Sequence, residues 1–207
     1  NITKIDCDRD KKMIINMESG GIVPMHLGIM DRILDENSAN AGLHLYEKMI
    51  SGGYLGTLLR LILLQGEKDG LFTAGNTISS LPEFDLSAVD AFQRQPFGDN
   101  LIANACGSDD DRELIYQFID LMLDRAAKLV TANLAAVIVQ TDGGKKISEP
   151  VRIVVEGSSF FKCYSYRERI EYYMTDYVQN RLHHYYQYSS GSDVNLIGSA
   201  IAAILNA

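Results

Sequence analysis

The sequence predicts an α/β protein, because a strand, a loop of small residues and a helix follow one another twice near its C-terminus. The first strand is the β-branched run VRIVVEG after Pro150, which is typical of a buried strand, and its loop is Gly157 to Ser159. A helix, a second strand, a second loop and a last helix then follow, over residues 167–181, 184–188, 189–192 and 193–206. In such sheets ligands bind beyond the carboxyl ends of the strands, so we expect a phosphate or nucleoside near Gly157 and Gly191.

The N-terminal region predicts a β-hairpin. Residues 1–5 and 13–17 have the composition of two strands, and a charged turn joins them. Residues 25–36 then predict a short helix or an extended segment. Because the sequence starts at Asn1, already within a predicted strand, we expect the chain to be part of a longer protein.

A helix containing several glycines organises the chain. The stretch HLYEKMISGGYLGTLLRLILLQ, His44 to Gln65, has apolar residues at helical spacing and no proline, so we predict one long helix. It contains Gly52, Gly53 and Gly56, each of which costs roughly 1 kcal/mol relative to alanine. A close approach by another backbone or by a ligand would offset that cost, and simple helix packing is the competing explanation.

Three further helices are predicted in the middle of the chain. After a glycine-rich break, short helices are expected over 87–92 and 99–105. A capping pattern at Ser108 and Asp111 then opens a long helix over 112–140, which would span about 42 Å and could cross the domain. We expect its inward side to carry Leu114, Phe118, Leu121, Met122, Leu129, Ala132 and Ala136.

Composition argues against several classes of function. The 207 residues are 46% hydrophobic, enough for one sizeable core or two small ones. A formal net charge of −8 and a pI near 4.9 argue against a nucleic-acid partner, because phosphate binding depends on clustered Lys and Arg. The sequence contains no apolar run of about 18 residues, so no membrane span is predicted. Three scattered cysteines without a CxxC pair favour a reducing, cytoplasmic location over a disulfide framework. No metal site is predicted, since adjacent His183 and His184 would face opposite sides of a strand.

Four segments resemble the hexokinase family, in the family's order. They are INMESGG (15–21), similar to IN-EWG; SANAG (38–42), similar to S-NPG; EKMISGGYLGTLLRLILL (47–64), similar to EKMISG-YLGE-VRLIL; and LDRAAKLVTANLAAVI (123–138), similar to S-RAA-L-AA-LAAVI. The resemblance covers nearly the whole chain. It implies a ribonuclease-H-like, actin-type sugar-kinase domain with long added helices. It further implies that residues 1–207 are the large C-terminal domain, whose partner, the small N-terminal domain, is not in this chain.

Matching residues imply a hexose site. Glu18 matches the glutamate of the IN-EWG segment and Glu47 that of the EKMISG segment, and both bind sugar hydroxyls in hexokinases. An ionised carboxylate accepts two or more hydrogen bonds, so two of them can fix several hydroxyls of a pyranose. Asn1 matches the asparagine that closes the family's GTG-x-N loop and also touches the sugar. Without the resemblance, Glu18 would be interpreted as a surface glutamate.

Other matches imply an ATP site. Gly157 and Ser158, after Glu156, resemble the family's VDGS segment, and Gly191 with Ser192 resembles its GSGKGAA loop. Small-residue loops and helix N-termini offer unpaired N–H groups to phosphates. Gly52, within the EKMISG segment, is assigned to the same ligand because a glycine lets a ligand approach closely.

The resemblance implies transfer of the γ-phosphoryl group of MgATP to the 6-hydroxyl of a hexose such as glucose, the carbohydrate phosphorylation of glycolysis. Domain closure around the sugar would exclude water, and an aspartate would take the hydroxyl proton. In the family that aspartate lies upstream of the GTG loop and it is not in this chain. We therefore assign no catalytic residue here and expect the 207 residues alone to be inactive.

Two alternatives stay open. Residues 193–197 are DVNLI where the family has GKGAA, and Ser19 stands where the family has tryptophan. These departures favour a non-catalytic hexokinase-like protein with a sugar-binding or regulatory role. A structural domain without any ligand is the other alternative, and it would require Glu18 and Glu47 to face apart.

Overall fold

The computed structural model describes residues 17–23, 25–190 and 194–205, so the predicted N-terminal hairpin lies almost wholly outside the described residues. The helices are α1 Ile29–Glu36, α2 Leu45–Ile50, α3 Gly52–Lys68, α4 Leu86–Arg94, α5 Leu101–Ala105, α6 Asp109–Thr141, α7 Ser158–Lys162, α8 Tyr166–Tyr173 and α9 Val194–Leu205. The strands are β1 Val151–Val154 and β2 Tyr186–Ser189, and Ser19–Gly21 and Ile78–Ser80 are single 3₁₀ turns.

Strands β1 and β2 pair in parallel, with Val151 opposite Tyr186 and Val154 opposite Ser189. The connection between them runs through α7, α8 and a π-helical extension, Met174–Arg181. The predicted order of strand, small-residue loop, helix and strand is therefore confirmed. The first small-residue loop lies at the carboxyl end of β1, where α/β proteins place their ligands.

Strand β2 begins two residues later than predicted because a tight turn precedes it. His183 has a left-handed backbone with a φ of 56°. The buried His184 ring places its Nδ1 2.6 Å from the carbonyl oxygen of Gly143, which fixes the turn against the end of α6. His184 is thus a packed histidine.

The single long helix predicted over 44–65 is wrong, because the backbone breaks at Ser51. Ser51 is extended, with φ −79° and ψ 136°, and separates α2 from α3. Its amide closes α2 by donating to the carbonyl of Glu47 at 2.8 Å, and its hydroxyl caps α3 by accepting from Gly53 N at 3.4 Å. Hydrophobic spacing cannot detect the break, since both helices present apolar residues to one core.

Two of the three glycines in this region are required by close packing. A Cβ on Gly56 would lie 2.5 Å from the backbone of Phe84 and Asp85, just before α4. A Cβ on Gly52 would lie 2.2 Å from Ser159 Oγ. The predicted close approach is confirmed at these positions, whereas Gly53 has only Ser51 Oγ within 4 Å of its Cβ position, at 3.8 Å.

Helix α6 begins as the sequence predicts and runs for 33 residues, about 50 Å at the usual rise. Ser108 caps it by accepting from Asp111 N at 3.2 Å. The buried Asp111 carboxylate accepts from Thr73 N and Gly107 N, both at 2.8 Å, and so ties the preceding loop to the helix. Burial raises the pKa of Asp111, but these hydrogen bonds outweigh burial and leave the pKa below its usual value.

The core lies between α3, α4 and α6, and includes Leu55, Leu59, Leu63, Val89, Phe92, Ile115, Ile119 and Leu123. The predicted inward side of α6 is partly correct: Met122 is buried and Leu114, Phe118 and Leu129 are half-buried, whereas Ala132 and Ala136 are exposed and Leu121 is 67% exposed. Apolar residues surround this helix on several sides, so its pattern does not fix the buried face. Within the described residues, no helix combines the length and the apolar character that a membrane crossing requires.

Candidate functional site

A cavity of about 450 Å³ brings three carboxylates to one surface, and we call it the acidic cavity. Glu18 comes from the segment before the first 3₁₀ turn, Glu47 from α2 and Glu156 from the loop after β1. Asn133 of α6 and Tyr166 of α8 also line it. Five separate elements therefore meet at a polar cavity of the size that commonly holds a small ligand.

Glycine in the 3₁₀ turn brings the segment of Glu18 close to α2. A Cβ on Gly20 would lie 3.2 Å from Glu47 Oε2 and 3.3 Å from Glu47 Cβ. Gly21 N donates to the carbonyl oxygen of Glu18 at 3.0 Å and closes the turn. Glu18 and Glu47 thus line the same cavity, which contradicts the requirement of the ligand-free alternative that they face apart.

Helix α2 is fixed by a buried ion pair. Lys48 is only 2% exposed, and its Nζ lies 2.6 Å from Asp35 Oδ1 and 2.9 Å from the carbonyl oxygen of Asn40. The Asp35 carboxylate also accepts from Gly42 N at 3.0 Å. The hydrogen bond from Lys48 holds the pKa of Asp35 below its usual value. This pair locks the loop before α2 and hence the start of the helix that carries Glu47.

Two buried phenols attach α2 to neighbouring helices. Tyr46 donates its hydroxyl proton to the carbonyl oxygen of Leu129 at 2.8 Å, and Tyr166 donates to that of Ile50 at 3.3 Å. Burial raises the pKa of Tyr46 to about 12 and also raises the pKa of Tyr166, so both stay protonated donors at neutral pH. They hold the floor of the acidic cavity in place.

His44 lies beside Glu47 at the entrance to α2. Its backbone is left-handed, with a φ of 53°, and its Nδ1 is 3.6 Å from Glu47 Oε2. Both side chains are about half exposed, at 46% and 48%, so they face the cavity opening rather than the core.

A second cavity of about 440 Å³ adjoins the first, and we call it the serine-lined cavity because Ser87, Ser158 and Ser159 line it. Gly53 and Lys162 also border it. Gly52 and Ser159 are the residues that line both cavities. The two cavities therefore meet where the first residue of α3 packs against the first turn of α7.

Helix α4 holds α7 in place through polar contacts. Asp90 Oδ1 accepts from Tyr164 N at 2.6 Å, and Asp90 Oδ2 accepts from Arg94 Nε at 2.8 Å. Arg94 in turn donates from Nη2 to the carbonyl oxygen of Lys162 at 2.9 Å. The contacts to Tyr164 and Lys162 join residues about 70 positions apart, and no sequence signal predicts them.

Two further ionisable groups of the serine-lined cavity are Asp85 and Cys163. Asp85 caps α4 and accepts from Ser87 N at 2.9 Å, and the hydrogen bonds from Ser87 lower its pKa. Burial raises the pKa of Cys163 to about 11, so this thiol is not a nucleophile at neutral pH. In the part of the chain that the structure describes, no group of three or more His, Cys, Asp or Glu could hold a metal ion.

The structure brings together most of the predicted site residues. Glu18, Glu47, Gly52 and Gly157 line the acidic cavity, and Gly52 with Ser158 lines the serine-lined cavity. The predicted residues Asn1, Gly191 and Ser192 lie outside the described residues.

Residues that the sequence did not single out also line the cavities. Asn133 lies on the long helix, where its apolar surroundings gave no signal, and Ser159 is adjacent to the predicted Ser158. The pair of serines after Gly157 is the sequence feature that could have indicated Ser159 as a site residue.

Comparison with known proteins gives a consistent result. The sequence model of the family described as hexokinase matches residues 1–205. Hexokinase from Kluyveromyces lactis is 29% identical over 97% of this chain and 44% of its own length. A hexokinase crystal structure superposes with a TM-score of 0.69 at 22% identity, over 86% of this chain and 41% of that one. Hexokinase from Schistosoma mansoni complexed with glucose gives 0.61 at 21% identity, over 81% and 39%.

These matches confirm the predicted fold of the sugar-kinase and actin type. They also show that the chain spans less than half the length of the relatives described above.

Proposed function

Because this chain belongs to the hexokinase family, we propose that it is the large, C-terminal domain of an ATP-dependent hexokinase. The reaction is transfer of the γ-phosphoryl group of MgATP to the 6-hydroxyl of a hexose such as glucose. One observation carries the proposal: Glu18 and Glu47 line one cavity, and this cavity meets a second cavity, lined by Ser158, at Gly52 and Ser159. A hexose and a nucleotide in these cavities would face each other across a shared wall.

The acidic cavity suits a hexose. Glu18 and Glu47 supply carboxylate oxygens that accept hydrogen bonds from sugar hydroxyls, and Asn133 offers an amide that both donates and accepts. Fixing the hexose in this way makes the reaction with the nucleotide effectively unimolecular. The main contribution of these residues is therefore to position the 6-hydroxyl.

The serine-lined cavity suits the nucleotide. Ser87 and Ser158 provide hydroxyls, Gly53 leaves its surface open, and Lys162 provides a positive charge at the rim. We expect Gly191 and Ser192 to complete this side. ATP bound here would bring its Mg²⁺ with its phosphates, and the metal would neutralise charge on the transferred group.

The proton of the hexose hydroxyl needs a base. We propose an aspartate in the small N-terminal domain of the same protein, upstream of these 207 residues, and we propose that Asn1 contacts the sugar near it. The chain alone should then bind a hexose weakly and turn it over little. We also propose a cytoplasmic location, which the free thiols of Cys106 and Cys163 support.

A coupled ADP-release assay on the full-length protein, with glucose, mannose and fructose, tests this function. Glu47→Gln should reduce hexose-dependent ADP release at least about 100-fold, because a charge-assisted acceptor is lost. The matched control is Glu113→Gln, an exposed glutamate of α6 that lines neither cavity. Hexose binding by titration without ADP release would favour the non-catalytic alternative, and the absence of both would reject the proposal.

A further inference from the structure

Gly157, after β1, and the first two residues of α7 line the two cavities differently. Gly157 lines the acidic cavity, Ser158 lines the serine-lined cavity, and Ser159 lines both. Ser159 is only partly buried, so its hydroxyl can be reached from the cavities. If the hexose and the nucleotide occupy the two cavities as proposed above, Ser159 and Gly52 lie at the point of transfer.

The hydroxyl of Ser159 packs directly on Gly52. Its Oγ lies 2.2 Å from the position that a Cβ on Gly52 would occupy, so a larger residue at position 52 would displace this hydroxyl. Within the described residues Ser159 Oγ has no hydrogen-bond partner, while its backbone carbonyl accepts from Cys163 N at 3.3 Å. The backbone is therefore fixed, and the hydroxyl proton is available to a ligand.

We propose that Ser159 is a catalytic residue that donates a hydrogen bond to a non-bridging oxygen of the transferred phosphoryl group. This proposal rests on the proposed function. The 6-oxygen of the hexose forms a bond to the γ-phosphorus while the bond from that phosphorus to the bridging oxygen of ADP breaks. The hydroxyl proton of the hexose passes to the upstream carboxylate, and Ser159 keeps its own proton throughout.

A neutral donor suits this place electrostatically. Glu47 and Glu156 line the acidic cavity, and Asp85 and Asp90 line the serine-lined cavity, so carboxylates stand on both sides of the junction. A hydroxyl at this junction can stabilise the phosphoryl oxygens during transfer without adding a further charge.

The test compares Ser159→Ala with wild type in the full-length protein. We expect kcat to fall about 10- to 100-fold, while KM for glucose and for MgATP changes less than about 3-fold, because the hydrogen bond acts mainly in the transition state. Ser158→Ala, next to it but lining only the serine-lined cavity, should instead mainly raise KM for MgATP. Ser148→Ala, an exposed serine before β1, should behave as wild type.

A binding readout separates this proposal from the proposed function. With glucose and MgADP present, aluminium fluoride mimics the transferred phosphoryl group, and Ser159→Ala should bind it about 10-fold more weakly than wild type. An active wild type with an equally active Ser159→Ala would reject the role of Ser159 alone. An inactive wild type that still binds both ligands would reject the kinase and, with it, the catalytic role of Ser159. Loss of glucose binding in Ser159→Ala, or no binding of either ligand to wild type, would reject the role of Ser159.

Discussion

The acidic cavity and the serine-lined cavity are built in different ways. Beside the acidic cavity, α2 is anchored in the protein interior by three buried residues, Tyr46, Lys48 and Met49. Beside the serine-lined cavity, α7 has no buried residue and is held to α4 by Asp90 and Arg94. Helix α2, beside the acidic cavity, is therefore part of the core, whereas α7, beside the serine-lined cavity, lies on the outside of the core and is held there by polar contacts. Substitutions in the buried support of α2, beneath the acidic cavity, should mainly affect stability, and those that loosen α7 should mainly affect ligand binding.

The largest expected effect is on the buried pair beneath the acidic cavity. Lys48→Met should lower the free energy of unfolding by about 3–5 kcal/mol, because it leaves the Asp35 carboxylate with its main partner removed. Lys146→Met is the control, because the side chains of Lys146 and Glu149 are 69% and 70% exposed. Lys146 Nζ lies 3.4 Å from Glu149 Oε2, and this exposed ion pair should contribute less than about 1 kcal/mol to the free energy of unfolding. Urea unfolding of the full-length protein measures both. Equal losses would show that α2 is not anchored by this pair.

The same pair should give a pH dependence. Its hydrogen bond lowers the pKa of Asp35 below the ordinary value of 3.8. The stability that this lowering contributes is fully present above the ordinary pKa and is lost as the pH falls through the lower, folded pKa. The difference in unfolding free energy between wild type and Lys48→Met should thus stay constant from pH 7 to about 5 and shrink below about pH 4. A difference that grew on acidification would contradict the assigned cause.

A smaller loss is expected where α3 meets the segment before α4. Gly56→Ala should cost about 1–3 kcal/mol, because its Cβ would lie 2.5 Å from backbone atoms that cannot rotate away. Gly53→Ala is a matched control in the same helix: its Cβ position is open, and the higher helix propensity of alanine should stabilise by up to roughly 1 kcal/mol. Thermal unfolding of the two variants should therefore shift in opposite directions. Similar shifts would show that α3 and α4 are less closely packed than described.

The smallest effect on stability is expected at the contact between α4 and α7. Asp90→Ala should lower the unfolding free energy by less than about 1 kcal/mol, since the interaction lies near the surface. It should nevertheless weaken MgADP binding about 3- to 10-fold, by loosening α7, while glucose binding is unchanged. Asp176→Ala removes a comparable exposed pair with Arg181, far from both cavities in sequence, and should affect neither ligand. Calorimetric titration of glucose and of MgADP into both variants checks these expectations, and an unchanged MgADP affinity in Asp90→Ala would contradict them.

Much of the site follows from the sequence where local chemistry determines the structure. The cap at Ser108, the strand after Pro150 and the small-residue loop at Gly157 depend on nearby residues, and each is found where it is predicted. The resemblance to the hexokinase segments assigns Glu18 and Glu47 to one site, and in the structure both residues line one cavity.

What the sequence could not provide depends on tertiary contacts. The break at Ser51 interrupts an otherwise helical pattern, and a serine within such a pattern does not by itself predict a helix cap. The sequence predicts only part of the buried face of α6, because Leu121 and other apolar residues of this helix are exposed. The junction at Ser159 exists only because α7 folds back onto the start of α3, at Gly52.

Titration of glucose and of MgADP into full-length wild type and Gly52→Ala tests most directly the claim that the two cavities form one site. A Cβ at residue 52 would collide with Ser159 Oγ on the wall that the cavities share. Both ligands should therefore bind Gly52→Ala at least about 5-fold more weakly than wild type. If Gly52→Ala bound either ligand as tightly as wild type, the two cavities would not meet at this residue in the working protein.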